Sequence, residues 1–408
     1  MHRVVVTGMG CVTPIGSSVA AMEESLAAGT SGISAFPPIA EAPASPGLRF
    51  TQTARVDGFD AREYLSSGTL SAADRTAQFA IVASRQAALQ SQLTQHHAPQ
   101  RIAVVLGCST GGRSSEEAET AKLYTRDARL HPLSVVRTMA NAGASHTSID
   151  LGITGPVFTL STACASGTHA IGMAFHMVRS GMVSAALAGG HEAPLTFGFL
   201  RAWDSMRVVS ASRCRPFAAD RDGMTLGEGA AVLALETLES AQARKATIFA
   251  EVVGFGMSAD AHHITNPAAS GAVAAIHAAL ADTGLPDAAD RVGYINAHGT
   301  GTQANDATEA TAIHQVFAER GARIPVSSTK SLHGHSIGAT GAIEALATVL
   351  SLHHQTLPAT AGVTAVDATL NLDVITGAPR KAAVELALSN SLAFGGINAV
   401  LALAAWRG

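Results

Sequence analysis

The 408-residue chain is 47% hydrophobic and only 14% charged, with a formal net charge of −4. That length buries a large core in two or three domain-sized units, and the composition argues against disorder. The charge balance offers nothing to nucleic acid or an anionic membrane, and no uninterrupted apolar run of about 18 residues reads as a membrane span.

The chain opens on an apolar run, Val4 to Thr7, which reads as a buried strand rather than a secretory signal. Further strand candidates follow at Ile102 to Leu106, Val157 to Leu160, Ala185 to Ala188, Ala230 to Leu235, Ala250 to Phe255, Gly293 to Ala297, Ile324 to Ser327, Ala387 to Ser389 and Ala399 to Ala404. Helical stretches and glycine-rich junctions alternate with them, the pattern of an α/β protein. Phe36 to Gly47, with Pro37, Pro38, Pro43 and Pro46, reads as a surface loop rather than a linker. Cys11, Cys108, Cys164 and Cys214 are far apart with no CxxC pair, which argues against a zinc site or a disulfide framework and suits a reducing cytoplasm.

Thr162-Ala163-Cys164-Ala165-Ser166-Gly167 follows the run Val157 to Leu160 and precedes apolar residues at helical spacing, Ala170, Ile171, Ala174, Phe175, Met177 and Val178, with Gly181 as the stop. This places Cys164 at a helix N-terminus. Free N–H groups and the positive dipole end there favour thiolate, so the expected pKa lies below the usual ~8.5. Taken alone, an intracellular cysteine is more often a small buried hydrophobe, and it is the rest of the chain that turns the reading toward a nucleophile.

Asn296-Ala297-His298-Gly299-Thr300-Gly301-Thr302 sets an imidazole where a strand ends and a glycine loop begins. Ser327-Ser328-Thr329-Lys330-Ser331-Leu332-His333-Gly334-His335 brings a second histidine just ahead of a helix, where the neutral ring is favoured. Lys330 is one of only four lysines, in surroundings unlike a solvated face. It needs a buried partner; Glu344 is the candidate, with Asp306 and Glu309 as substitutes.

The chain also repeats itself. Gly227-Glu228-Gly229 and the strand to Leu235 echo Gly395-Gly396-Ile397 and the strand to Leu403, while Ser161-Thr162 and Ser328-Thr329 each lead into a small-residue helix, Gly167 to Ser180 and Gly338 to Leu352. Two α/β halves, residues 1–250 and 251–408, are expected to share central helices.

Together with Asn390-Ser391-Leu392-Ala393-Phe394-Gly395-Gly396-Ile397-Asn398, these motifs resemble the β-ketoacyl-acyl carrier protein synthase family, of the elongating type with a Cys-His-His site. The match runs in order over essentially the whole chain. The resemblance implies the thiolase fold, a five-layered αβαβα arrangement of two pseudo-repeated halves, dimerised through the N-terminal halves as a homodimer or with a ketosynthase-like chain-length subunit. It implies the decarboxylative condensation of an acyl thioester with malonyl-acyl carrier protein. Cys164 would carry the acyl group, and His298 and His335 would stabilise the enolate. The N–H groups of Cys164 and Phe394 would form the oxyanion hole, and Lys330 with Glu344 would hold the histidines. Thr300 and Thr302 match positions that bind the pantetheine arm, Thr110 a tunnel wall, Phe394 an acyl gate, and Asp260 with its neighbours Ser258 to His263 a loop that moves with the gate. No cofactor is implied beyond the phosphopantetheine of the carrier protein, and no metal.

Two departures stand out. Elongating enzymes usually read Asn-Ser-Phe-Gly-Phe-Gly-Gly-Thr-Asn at the gate, so Leu392, Ala393 and Ile397 predict a stiffer one, similar to specialised nodulation-factor or polyene ketosynthases. The usual basic carrier-docking cluster is mostly missing from Leu65 to Arg75, which leaves Arg62, Arg201 and Arg207 as candidates. A non-catalytic chain-length subunit is the alternative, but such subunits lose the nucleophile. A coenzyme A thiolase would carry a cysteine near the C-terminal glycine loop, and none follows Cys214.

Overall fold

A computed structural model describes residues 1–37, 47–126 and 128–408; most of the proline-rich stretch from Phe36 to Gly47 lies outside the described residues. Five strands make up the sheet of the N-terminal half: β1 (Val4–Val12), β2 (Ile102–Gly107), β3 (Val157–Leu160), β4 (Ala185–Glu192) and β5 (Gly229–Thr237). Five longer strands and the two-residue edge strand Asp373–Val374 make that of the second half: β6 (Ala250–Ala259), β7 (Val292–Asn296), β8 (Pro325–Ser327), β9 (Leu386–Ala393) and β10 (Ile397–Ala405). All ten apolar runs read from the sequence are strands, most of them longer than the run because alternating small residues such as Gly189 and Gly190 continue the ladder.

From their junction outward the halves run β1-β5-β4-β2-β3 and β6-β10-β9-β7-β8. Across these ten strands the pairing senses are identical: β2 is parallel to β3 and β4 as β7 is to β8 and β9, and the remaining pairs are antiparallel, while the edge strand Asp373–Val374, parallel to β8, belongs to the second half alone. The duplication heard in the sequence is therefore a duplication of topology. The echoed strands β5 and β10 are each nine residues long and start two residues after the glycine heading each echo. The sheets meet where Val4, Val5 and Val6 pair with Val252, Glu251 and Ala250.

Helix α1 (Arg75–Ser91) covers the outer face of the first sheet, and α4 (Ala269–Asp282), backed by α5 (Gln303–Phe317), that of the second. Between the sheets lie α2 (Ser166–Arg179) and α6 (Thr340–His354), which pack on each other and touch strands of both halves. This is the αβαβα layering of the thiolase fold. Helix α6 is buried on every side from Thr340 to Leu352, as a central helix must be. Its crossing with α2 needs glycine: a Cβ on Gly341 would lie 2.0 Å from Thr168 Oγ1, and one on Gly167 would lie 2.8 Å from the Ala342 nitrogen. Side chains such as Ile171, Phe175, Leu346 and Val349 fill this layer, each contributing about 1.5–3 kcal/mol by leaving water. Among the described residues no helix is long and apolar enough to cross a membrane.

Candidate active site

Strand β3 delivers the chain into a sharp turn before α2. Ala163 there has φ 50°, a left-handed conformation that costs a non-glycine residue about 1–2 kcal/mol. Hydroxyls hold the turn: Ser166 Oγ donates to the Ala163 carbonyl at 2.7 Å and accepts from the Thr162 N–H at 2.9 Å, and Ser109 Oγ donates to the same carbonyl at 2.9 Å. The result aims Cys164 out of the strand end, two residues ahead of the helix, with 5% of its surface exposed. Burial pushes its thiol up to about 11, against the opposing pull of Lys330 and of the backbone N–H groups of Phe394 and Cys164 itself. The expected low pKa is thus corrected. Lost hydration outweighs a helix terminus that begins only at Ser166.

The second half supplies the imidazoles. His335 Nε2 lies 3.0 Å from Cys164 Sγ, and its Nδ1 lies 2.9 Å from Thr340 Oγ1 in the first turn of α6. His298 follows β7 in a loop fixed by Glu309 of α5, whose two carboxylate oxygens accept from the N–H groups of His298 and Gly299 at 2.8 Å each. The two rings meet edge to face with centroids 5.6 Å apart. Burial, then the nearby Lys330 charge, hold both rings well below the usual histidine range. They are neutral.

Lys330, fully buried, donates to Glu344 and to the His298 carbonyl, and its Nζ lies 3.2 Å from His298 Nδ1. An ammonium can only donate, so Nδ1 accepts and the ring proton sits on Nε2, facing the cavity. Glu344 is the partner the sequence named; burial pushes its carboxyl up while Lys330 draws it down. The substitutes do other work: Asp306 accepts from the N–H groups of Phe217, Thr300 and Gly301, and Glu309 holds the His298 loop.

Ligand atoms of Cys164, His298 and His335 all lie within 4.8 Å of one another. That spacing also suits a metal ion, but the Lys330 ammonium beside His298 disfavours a cation. It suits an oxygen that gains negative charge.

The three side chains open onto a cavity of about 270 Å³. Thr300 and Thr302 line it, their hydroxyls 2.9 Å apart, with Leu392, Ala393 and Phe394 on another wall. The other expected residues are not on its wall. Thr110 is not on this wall; its N–H and hydroxyl donate to the buried Glu192 at 3.0 and 2.6 Å. Asp260 accepts from Asn398 Nδ2 at 2.7 Å and the Ala268 N–H at 2.9 Å, tying the loop after β6 to the gate hairpin rather than touching the cavity. Glu344 stands behind Lys330, and Arg62 is spent on an exposed ion pair with Asp60 at 2.6 Å. Helix α3 (Phe197–Met206) bears Arg201, which donates to the Gly47 carbonyl at 2.8 Å, and ends at Arg207, exposed between the cavity residues Met206 and Val208. Ala393 stays in the ladder opposite Ile397.

Four features were not read from the sequence: Trp203, which stacks on Phe394; Thr340, five residues past His335; Glu309 as the clamp of the His298 loop; and the wall Ile264 to Pro267, which continues the loop read as ending at His263. Only Trp203, one of two tryptophans, carried any compositional signal.

Residues 1–241 match the family described as β-ketoacyl synthase, N-terminal domain, and residues 249–364 match its C-terminal domain. Nodulation protein E of Rhizobium meliloti (strain 1021) is 40% identical over 403 residues, 98% of each chain. The 3-oxoacyl-[acyl-carrier-protein] synthase 2 of Staphylococcus aureus (strain COL) is 39% identical over 408 residues, 98% of this chain and 97% of that one. The solved structure of the ishigamide ketosynthase/chain length factor superposes with a TM-score of 0.94 at 32% identity, covering 100% of both chains.

Proposed function

The chain belongs to the β-ketoacyl synthase family, and from that premise we propose how its own residues carry out the decarboxylative condensation that makes a 3-oxoacyl-acyl carrier protein. The observation that carries the reading is the convergence of one thiol, two neutral imidazoles and the Phe394 N–H on one buried point.

In the first half-reaction His335 Nε2, 3.0 Å away, takes the Cys164 proton as the sulfur attacks the acyl thioester carbonyl of a carrier protein, and gives it to the carrier thiolate that leaves as the old C–S bond breaks. The Thr340 hydroxyl accepts from Nδ1–H while Nε2 is an acceptor, and it rotates to donate to Nδ1 when Nε2 must carry the proton. One hydroxyl therefore serves both ring states. In the second half-reaction the malonyl thioester carbonyl accepts from the Nε2–H groups of His298 and His335. Carbon dioxide leaves, and the electron pair of the broken bond is held as an enolate between two fixed dipoles. Removing one such donor costs about 10²–10³ in rate. The carbanion attacks the acyl-Cys164 carbonyl, whose oxyanion accepts from the N–H groups of Cys164 and Phe394, and collapse returns the thiolate to take back a proton. Thioester cleavage and the loss of carbon dioxide supply the driving force, so the reaction as written needs no cofactor beyond the carrier's phosphopantetheine arm, for which Thr300 and Thr302 are the receiving hydroxyls.

The acyl carrier protein is the substrate-bearing partner, docking beside Arg201 and Arg207 at the cavity mouth. The likeness to a ketosynthase/chain length factor supports a partner subunit of the same fold, in a homodimer or heterodimer. Four free, buried cysteines fit a cytoplasmic enzyme. Retention of Cys164, His298 and His335 favours a catalytic subunit over a chain-length subunit. Mass spectrometry after incubation with acyl-carrier thioesters tests the reading: acyl mass belongs on the Cys164 peptide, and acyl mass on another peptide would overturn it.

A further inference from the structure

Phe394 is half-buried at the end of β9, and its ring lies against Trp203 with centroids 5.7 Å apart and planes within 16°. Trp203 stands on a braced element. It leans on Phe199, Asp204 beside it accepts from Arg49 Nε at 3.0 Å, and the N–H of Gly198 donates to Glu117 at 2.6 Å. The backbone after Phe394 is a turn of two glycines. Gly395 and Gly396 have φ 86° and 67°, and a Cβ on Gly395 would meet nothing closer than 3.7 Å. Two backbone hydrogen bonds tie that turn to the neighbouring loop, from the Gly395 N–H to the Ile264 carbonyl and from the Asp260 N–H to the Gly396 carbonyl, each at 2.8 Å. A glycine turn whose preceding aromatic ring is clasped by a braced aromatic has the mechanics of a latch, the ring rather than the backbone being the part that swings.

Resting on the ketosynthase reading, we propose that Trp203 is the latch of the acyl gate: its stack holds Phe394 closed, and Cys164 is loaded only when the two rings part. Trp203 is a positioning residue, since it acts on the chemistry through Phe394. Losing a stacked pair shifts a two-state equilibrium roughly 2- to 10-fold. Trp203→Ala therefore speeds acyl transfer to Cys164 by roughly 2- to 10-fold, and Trp203→Phe, which keeps a ring against Phe394, stays within about 2-fold of the parent. Condensation with malonyl-carrier gains nothing in kcat, because the Phe394 N–H must be in place for that step.

A spectroscopic readout separates a latch from mere structural support. The chain has two tryptophans, so in Trp406→Phe the emission reports Trp203 alone. Stoichiometric acylation, followed by mass on the Cys164 peptide, changes that emission as Phe394 leaves the ring. Acylation with unchanged emission, or equal or slower loading of folded Trp203→Ala, would overturn the latch while leaving the ketosynthase reading standing. Failure of the parent to acylate Cys164 at all would overturn both.

Discussion

Replacing Lys330 with methionine, which keeps the aliphatic volume and removes the charge, probes the centre of the site from behind. The structure gives the ammonium three partners, Glu344 and the carbonyl and Nδ1 of His298, all buried. Lys330→Met leaves Glu344 as a carboxyl with no cation, and breaking a buried pair from one side costs about 3–5 kcal/mol. That is about a fifth or more of the roughly 5–15 kcal/mol by which a folded protein is stable. Lys330→Met/Glu344→Gln removes both charges, so the double variant should recover to within about 1–2 kcal/mol of the parent. Catalysis should not recover with it. The His298 tautomer is set by the ammonium at Nδ1, and without it the Nε2 donor toward the malonyl carbonyl is lost for about 10²–10³ in rate. Urea unfolding midpoints read the first effect, and carbon dioxide release from malonyl-carrier reads the second. A folded double variant that decarboxylates at the parental rate would refute the tautomer argument, and a single variant as stable as the parent would refute the ion-pair argument.

Three further outcomes follow from the same geometry. With its thiol pushed up to about 11, Cys164 should be alkylated by iodoacetamide at a rate that climbs about tenfold per pH unit from pH 7 to 10; a plateau below pH 8 would mean a thiolate at rest. His191 is fully buried against Thr76 and burial holds it down at about 4, so the unfolded chain takes up its proton below about pH 6.5 and the folded one does not. Its contribution is complete above pH 6.5 and falls as pH drops toward 4, by about 1.4 kcal/mol per unit; the difference in unfolding free energy between parent and His191→Gln should carry that slope, and parallel curves would contradict it. Arg207→Glu at the cavity mouth should raise KM for acyl-carrier severalfold at low salt and leave a free acyl-pantetheine substrate unchanged, while an equal loss with both would remove Arg207 from docking.

Much of this architecture was audible in the sequence because its cues are local. Apolar runs of four to six residues between glycines are strands wherever they occur, and the glycine-headed echo at Gly227 and Gly395 survives because both copies face the same central helices. The motifs around Cys164, His298 and His335 located the site for the same reason: each lies at a strand end where a side chain must turn outward. Local reading failed where the decisive quantity was burial or a distant contact. The Cys164 pKa depends on lost hydration, which no helix-terminus pattern reports, and the work of Asp260 and Thr110 depends on Asn398 and Glu192, supplied by remote strands. Trp203 stood out only by its rarity, because stacking on Phe394 joins two segments far apart in the chain.

The central claim is that Cys164, His298 and His335 act on one substrate pair to make a carbon–carbon bond. Enzyme loaded with acyl on Cys164, freed of excess donor and mixed with malonyl-carrier, tests it in a single turnover followed by intact mass. The account predicts that the acyl group leaves Cys164 and appears on the carrier extended by two carbons as a 3-oxoacyl group, and that His298→Ala stalls with acyl-Cys164 intact and malonyl unspent. Carbon dioxide released while the acyl group stays on Cys164, or an unextended acyl group returned to the carrier, would contradict it.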